Sequence, residues 1–253
     1  MLNEYRSELD RIDDAIVRLF SERMNIVERI ADYKRKNHLD ALDPDRERIM
    51  LERLSSEVPE DRRDAVHALY EAILSISKAQ QRITNTNIVL IGMPGSGKTS
   101  VARRLSTLLS RPIASTDEAV EARIGMPIEA LFRAKGEAAF RAVETEIVKE
   151  LSSVWGSIIA TGGGTVLSEE NRKVLRQNSR IYYIRRPLDS LDTSGRPLSQ
   201  GEGALERLYA QRHALYEDFC DVQLDGEDDF SVTADRIAAE FLECFSVRCS
   251  IRT

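Results

Sequence analysis

The sequence predicts a multidomain protein, with an all-α first part that intertwines with a second copy of itself and an α/β second part built on a parallel sheet. Three observations carry this. Apolar residues recur at three- and four-residue steps from Glu4 to about Lys36 without one Gly or Pro. The stretch "NIVLIGMPGSGKTSVARRL", residues 87 to 105, joins an apolar run to a glycine-rich loop and then to a helix. Beyond it, apolar runs alternate with helical stretches to the end of the chain. At 253 residues the chain exceeds the usual size of one domain, and two domains of roughly 80 and 160 residues are expected; we place them at residues 1–84 and 87–246.

Taken in order, the first helix carries Leu9, Ile12, Ile16, Leu19, Phe20, Val27, Ile30 and Ala31 as its apolar stripe. A second helix starts at Asp43-Pro44, with Asp43 as cap and Glu47 in the first turn, and runs to about Leu54. "VPEDRRDAVHALYEAILSISKAQQRI" makes a third, and "TNTN" reads as a short polar joint before Ile88. A helix of about 33 residues is about 50 Å long, whereas a compact domain of ~80 residues has a radius of gyration near 12 Å. Its own two shorter helices cannot cover it, so a homodimer with paired long helices is expected. In the second part, "IVLIG", "PIAST", "SIIATGGG" and "RIYYIRR" read as strands, with helices between them, a helical stretch through Lys149 and a helical tail. Such strands argue a parallel sheet covered on both faces.

Net charge is -6 with pI near 5.3 and interspersed signs, which argues against nucleic acid and against a polybasic membrane patch. Small molecules or protein are the expected partners. Cys220, Cys244 and Cys249 lack the paired spacing of a zinc site or disulfide framework and read as reduced thiols. No apolar run approaches the ~18 residues of a spanning helix, and "MLNEYRSELD" lacks the features of a signal peptide. The expected compartment is the cytoplasm.

Gly92, Gly97, Lys98 and Thr99 match G-x-x-x-x-G-K-[ST], with the strand before and the helix after that the motif requires. Gly92, Gly95, Ser96 and Gly97 would turn backbone N–H groups around phosphate oxygens at a helix N-terminus, Lys98 supplies a mobile charge, and the Thr99 hydroxyl can ligate Mg²⁺. ATP with Mg²⁺ is therefore expected, although the loop does not name the acceptor. Four further stretches do. "STDEAVEARIGMPIEALF", "GEAAFRAVETE", "ATGGGTVLS" and "GRPLS" followed by "AQRHALYEDFCDV" closely resemble, in that order, shikimate kinase over nearly all of residues 87 to 245.

The resemblance implies that Arg141 and Arg212 hold the carboxylate of shikimate, that Asp117 takes its ring hydroxyls and orients or deprotonates the attacking one, and that Gly162, Gly163 and Gly164 let the backbone approach the ring. Glu144, three residues after Arg141, would steady that guanidinium. Arg196 would neutralise charge on the transferring phosphoryl group, alongside Lys98 and Mg²⁺, and contact the nucleotide from a lid over residues ~196 to 211 that excludes water. Two departures stand out. Ser115 replaces an Asp that the family usually turns toward Mg²⁺, and "RRPLDSLDTSGRPLS" carries Asp189 and Asp192 but lacks the Arg that commonly covers adenine.

Patterning alone leaves the helical first part open between a dimerising or regulatory module and a catalyst. Its charges narrow the choice. Arg23 and Lys34 are 11 residues apart on one helical face with Val27 and Ile30, so two cations beside an apolar stripe invite an anion. Arg6 lies off that face, and in a dimer it could serve the partner's pocket. The stretches "YRSELDRIDDAIVRLFSERMNIVERIADYKRK", "LDPDRERIMLERL" and "LYEAILSISKAQQ" resemble the all-helical class of chorismate mutase over residues 1 to 82.

The resemblance implies that Arg23, Arg46 and a partner chain's Arg6 clamp the two carboxylates of chorismate, and that Lys34 and Gln81 donate to the ether oxygen. Glu47 and the Asp43 region would take the ring hydroxyl, and Ser77 completes the site. No cofactor is needed, and neutral Gln81 lets activity persist above neutral pH. The implied whole is a bifunctional enzyme of aromatic amino-acid biosynthesis whose two steps are not adjacent. The alternative is a kinase for another small polyol or acid, with a non-catalytic, effector-binding helical domain.

Overall fold

The computed structural model of the chain describes residues 1–37, 43–191 and 203–246. The chain forms separate units, Met1–Asn85 and Thr86–Cys244.

The first unit contains α1 (Leu2–Lys36), α2 (Pro44–Ser56), a single 3₁₀ turn at Glu60–Arg62 and α3 (Arg63–Asn85). Asp43 caps α2, its carboxylate accepting from the Arg46 N–H at 3.0 Å, and Pro44 takes the first position, where a missing N–H costs nothing. α1 and α2 both pack on α3. Only the C-terminal end of the apolar stripe of α1 is covered by this: Val27 and Ala31 are buried, whereas Leu9, Ile12, Ile16 and Leu19 stay 47–58 % exposed in the single chain.

The second unit is a five-stranded parallel sheet in the order β2-β3-β1-β4-β5, with β1 Asn87–Ile91, β2 Ile113–Ser115, β3 Ile158–Ala160, β4 Ser179–Arg185 and β5 Val222–Asp225. Between and after them run α4 (Lys98–Leu109), α5 (Thr116–Ile124), α6 (Ile128–Ser153), α7 (Glu169–Arg176), α8 (Ala204–Phe219) and α9 (Phe230–Cys244). Ile88, Val89, Leu90 and Ile91 are wholly buried in the central strand, each worth roughly 1.5–3 kcal/mol relative to exposure. Val89 and Ile91 join Ile159, Ile181 and Tyr183 in one core, with Tyr216 and Phe219 of α8 packed into it.

Three sequence expectations need correction. The "TNTN" joint is nearly absent, because α3 runs through Asn85 and β1 begins at Asn87. Asn87 is a polar residue serving the sheet: its side-chain oxygen accepts from the Ser157 N–H at 2.9 Å. The helical stretch through Lys149 is broken twice, first where Gly125 adopts φ 69° and Pro127 caps α6, and again inside α6 at Gly136, whose φ 78° and ψ 177° are not helical. The tail is not all helical, since β5 intervenes; with Val222 and Leu224 half-buried and Gln223 and Asp225 exposed, "VQLD" has too little apolar content to stand out.

Candidate active sites

In the second unit the loops after β1, β2 and β3 open on one cavity of about 800 Å³, at the carboxyl ends of the strands where ligands of open α/β sheets bind. Gly92, Gly95 and Gly97 all have positive φ. Gly97, at φ 86° and ψ 10°, caps α4 without a side-chain hydrogen bond, so the first backbone N–H groups of α4 are not taken by a cap. Lys98 is buried and its Nζ donates to the carbonyls of Gly92 (2.9 Å) and Met93 (2.8 Å) and lies 3.4 Å from Ser96 Oγ. Thr99 lines the same cavity.

Ser115 caps α5, its hydroxyl accepting from the Glu118 N–H at 3.3 Å, so Asp117 falls in the helix's first turn. Thr116 accepts from the Gly162 N–H at 2.7 Å and pins the glycine loop beside Asp117. A Cβ on Gly162 would meet Asp117 Oδ1 at 2.5 Å, and one on Gly163 would meet Pro94 Cδ at 2.6 Å. A Cβ on Gly164 would strike the Arg141 guanidinium. Any side chain here would therefore displace Asp117, Pro94 or Arg141.

Arg141 donates to Glu144 at 2.7 Å and to Glu137 at 2.9 and 3.1 Å. Glu144 is almost wholly buried, and its other oxygen accepts from Thr165 at 2.7 Å. Burial pulls the Arg141 pKa down, but Glu144 and Glu137 outweigh it and the net shift is upward, so the cation is secure. Arg212 is 3 % exposed, and its Nε is a buried donor with no hydrogen-bond partner. Both guanidinium groups line the cavity that holds the phosphate loop. Arg196 and Asp192, and the lid as far as residue 202, lie outside the described residues; residues 204–211 belong to α8, and Asp189 is exposed.

In the first unit, Arg23 of α1 donates to Ser77 of α3 at 2.5 Å, and Ser77 is buried. Glu47 is half-buried and ion-paired with Lys78 at 2.7 Å. Lys34 and Gln81 are also half-buried, on the facing helices α1 and α3. The carboxylate of Asp43 is engaged as a cap, and Arg6 and Arg46 are exposed in the single chain.

A family model described as "Shikimate kinase" matches residues 94–246. The shikimate kinase of Nitrosospira multiformis is 38 % identical over 149 residues, which span 56 % of this chain and 76 % of that one. That of Dictyoglomus turgidum is 35 % identical over 160 residues, or 58 % and 93 % of the two chains. Among solved structures, the shikimate kinase of Acinetobacter baumannii in complex with shikimate superposes with a TM-score of 0.62 at 31 % identity, covering 66 % of this chain and 98 % of that one. The chain belongs to the shikimate kinase family.

A second family model, "Chorismate mutase type II", matches residues 5–82. The chain is thus a bifunctional enzyme of the shikimate pathway, a chorismate mutase joined to a shikimate kinase. Sequence reading missed several residues of these sites. In the kinase they are Thr116, Glu137, Thr165 and Tyr216, whose hydroxyl donates to the Gly163 carbonyl at 2.5 Å. Glu137 and Tyr216 were within reach, each standing four residues from an arginine already singled out. In the mutase the missed residue is Lys78, three residues before Gln81 and so on its face of α3.

Proposed function

We propose that residues 1–84 rearrange chorismate to prephenate and residues 87–246 transfer the γ-phosphoryl group of ATP to shikimate, through the residues named from the sequence. In the kinase, Arg141 and Arg212 receive the carboxylate of shikimate. The observation that carries this reading is the buried Arg212 cation with its unpartnered Nε, in a cavity that also holds the phosphate loop. A buried charge lacking one partner favours an anion, and a guanidinium fork fits a carboxylate. Asp117 orients the attacking hydroxyl and takes its proton as the new O–P bond forms and the bond from phosphorus to ADP breaks.

Lys98 leaves the carbonyls of Gly92 and Met93 to meet the phosphates, which also gather at the backbone amides of Gly95, Ser96 and Gly97. Arg196 neutralises the charge that spreads in transfer. Gly162, Gly163 and Gly164 keep the approach to the ring free of side chains. Mg²⁺, when bound, screens charge between phosphate oxygens. The Thr99 hydroxyl would hold it; Ser115 offers no charge, and its hydroxyl is engaged as a helix cap, so the metal is held more weakly than where an Asp stands.

In the mutase, Arg23, steadied by Ser77, acts with Arg46 and Arg6 of a partner subunit to clamp the dianion in its compact conformer. Lys34 and Gln81 donate to the ether oxygen as the C–O bond breaks and the C–C bond forms in one concerted step; no proton or electron is exchanged, so no cofactor enters. Asp43 and Glu47 face the ring hydroxyl. The exposed Leu9, Ile12, Ile16 and Leu19 support a homodimer through α1. Among the described residues no helix is long and apolar enough to cross a membrane, and we assign the enzyme to the cytoplasm, without nucleic-acid or membrane partners.

Both assays on one preparation test the assignment. Lys34→Ala should remove prephenate formation, a barrier increase of roughly 3–4 kcal/mol for a lost preorganised donor, and leave shikimate phosphorylation within a few fold. Lys98→Ala should do the converse. If either substitution stops both reactions, the sites are not independent. Phosphorylation of gluconate or quinate in place of shikimate would count against the acceptor.

A further inference from the structure

We infer that Tyr216 is a positioning residue of the kinase, its hydroxyl tying α8, which carries Arg212, to the glycine loop and so holding the guanidinium and the loop in register for the acid. The inference rests on the reading of Arg212 as a carboxylate partner. Tyr216 follows Arg212 by one turn of α8 and is wholly buried, its ring stacked on Tyr183 with centroids 5.0 Å apart. Phenylalanine would serve that packing equally well. The hydroxyl is what packing leaves unexplained.

That hydroxyl donates to the Gly163 carbonyl at 2.5 Å, one helical turn from Arg212 on the same helix. A phenol has a single proton, and here it goes to Gly163. Burial pushes the Tyr216 pKa well above its ordinary value, with Arg212 opposing, so the proton that reaches Gly163 is retained through the working pH range.

Each side of this tie meets a different part of the site. Arg212 has one donor, Nε, still without a partner. Gly163 abuts Pro94 of the phosphate loop. The contact with Gly163 is not local in sequence, as the two residues are 53 apart. Deleting the hydroxyl leaves the carbonyl without its donor and unties the helix that carries Arg212 from the glycine loop. The loss should fall on recognition of the acid, not on ATP.

The test is Tyr216→Phe in the full chain. The KM for shikimate should rise about tenfold, the factor expected for a hydrogen bond that orients a charged group, while the KM for ATP and the melting temperature hold. Second, the ratio of kcat/KM for shikimate to that for its methyl ester should fall about tenfold, because Arg212 separates a carboxylate from an ester. Measured on one preparation, that ratio does not depend on the fraction of chains folded, so it is informative even for a variant that folds poorly. An unchanged ratio, or a KM for ATP rising in parallel, overturns the positioning role. Arg212→Lys distinguishes the underlying reading: if it too leaves the ratio unchanged, Arg212 does not receive the carboxylate, and the role of Tyr216 falls with it.

Discussion

Replacing Gly163 by alanine tests whether the acceptor loop and the phosphate loop form one rigid surface. Gly163 does not have positive φ, so alanine adopts its backbone without strain and any effect comes from the added methyl group. That carbon would lie 2.6 Å from Pro94 Cδ, 2.7 Å from Cγ and 2.9 Å from the Pro94 nitrogen, whereas carbon atoms sit comfortably at about 3.5–4.0 Å. About 1 Å of separation must be found. Pro94 is a ring fused to the backbone and cannot rotate away, and the Gly163 carbonyl is tied to Tyr216, so the two loops must move apart.

Overpacking of this kind costs roughly 1–3 kcal/mol, or about 2–12 °C in the kinase unit's transition at 2–4 °C per kcal/mol. Misplacing reacting groups by about 1 Å costs on the order of 100-fold in rate. The assay is ADP release in the presence of shikimate, with loss of chorismate absorbance on the same sample as an internal reference. The kinase kcat/KM should fall about 100-fold and the mutase rate should hold. A kinase that keeps kcat/KM within about threefold of the parent would show that the loops yield independently, which would refute the reasoning from rigidity. Gly164→Ala is the contrast, since its methyl group would meet the mobile end of Arg141; its effect should fall on the KM for shikimate.

Two further outcomes are expected. Glu144→Gln removes the charge that faces Arg141 at 2.7 Å, and should lower kinase-unit stability by about 1.5–3 kcal/mol, less than the ~3–5 kcal/mol of a fully buried pair because Glu137 still holds Arg141; a thermal melt unchanged from the parent would contradict it. Mixing Arg6→Ala chains with Lys34→Ala chains should restore part of the mutase activity that each lacks alone, because a mixed dimer contains one pocket with both residues intact; no restoration would place each pocket within one chain.

What could be read from the sequence was what is local along the chain. Gly97, Lys98 and Thr99 could be placed because strand, loop and helix follow one another within twenty residues, and the long helix because its period persists over 35. The Arg141–Glu144 pair was legible as three residues on one helical face. Contacts across the fold were not. Thr165 and Glu144 are 21 residues apart and Gly162 and Thr116 are 46 apart, and nothing in the spacing of such residues says which side chain will arrive beside which. β5 failed for another reason: an edge strand with alternate residues facing out resembles a polar turn. The pairing of Lys78 with Glu47 joins two helices whose relative rotation no single periodicity encodes.

The uncovered stripe of α1 has a quantitative corollary. If the isomerase pocket is shared between two chains, its output follows the concentration of pairs, whereas the phosphotransferase pocket belongs to single chains. Dilution toward the pair's dissociation constant then extinguishes one turnover and spares the other. A cell that halves its supply of this polypeptide would lose half of its phosphorylating capacity and more than half of its rearranging capacity, so the ratio of the two fluxes would be set by abundance alone.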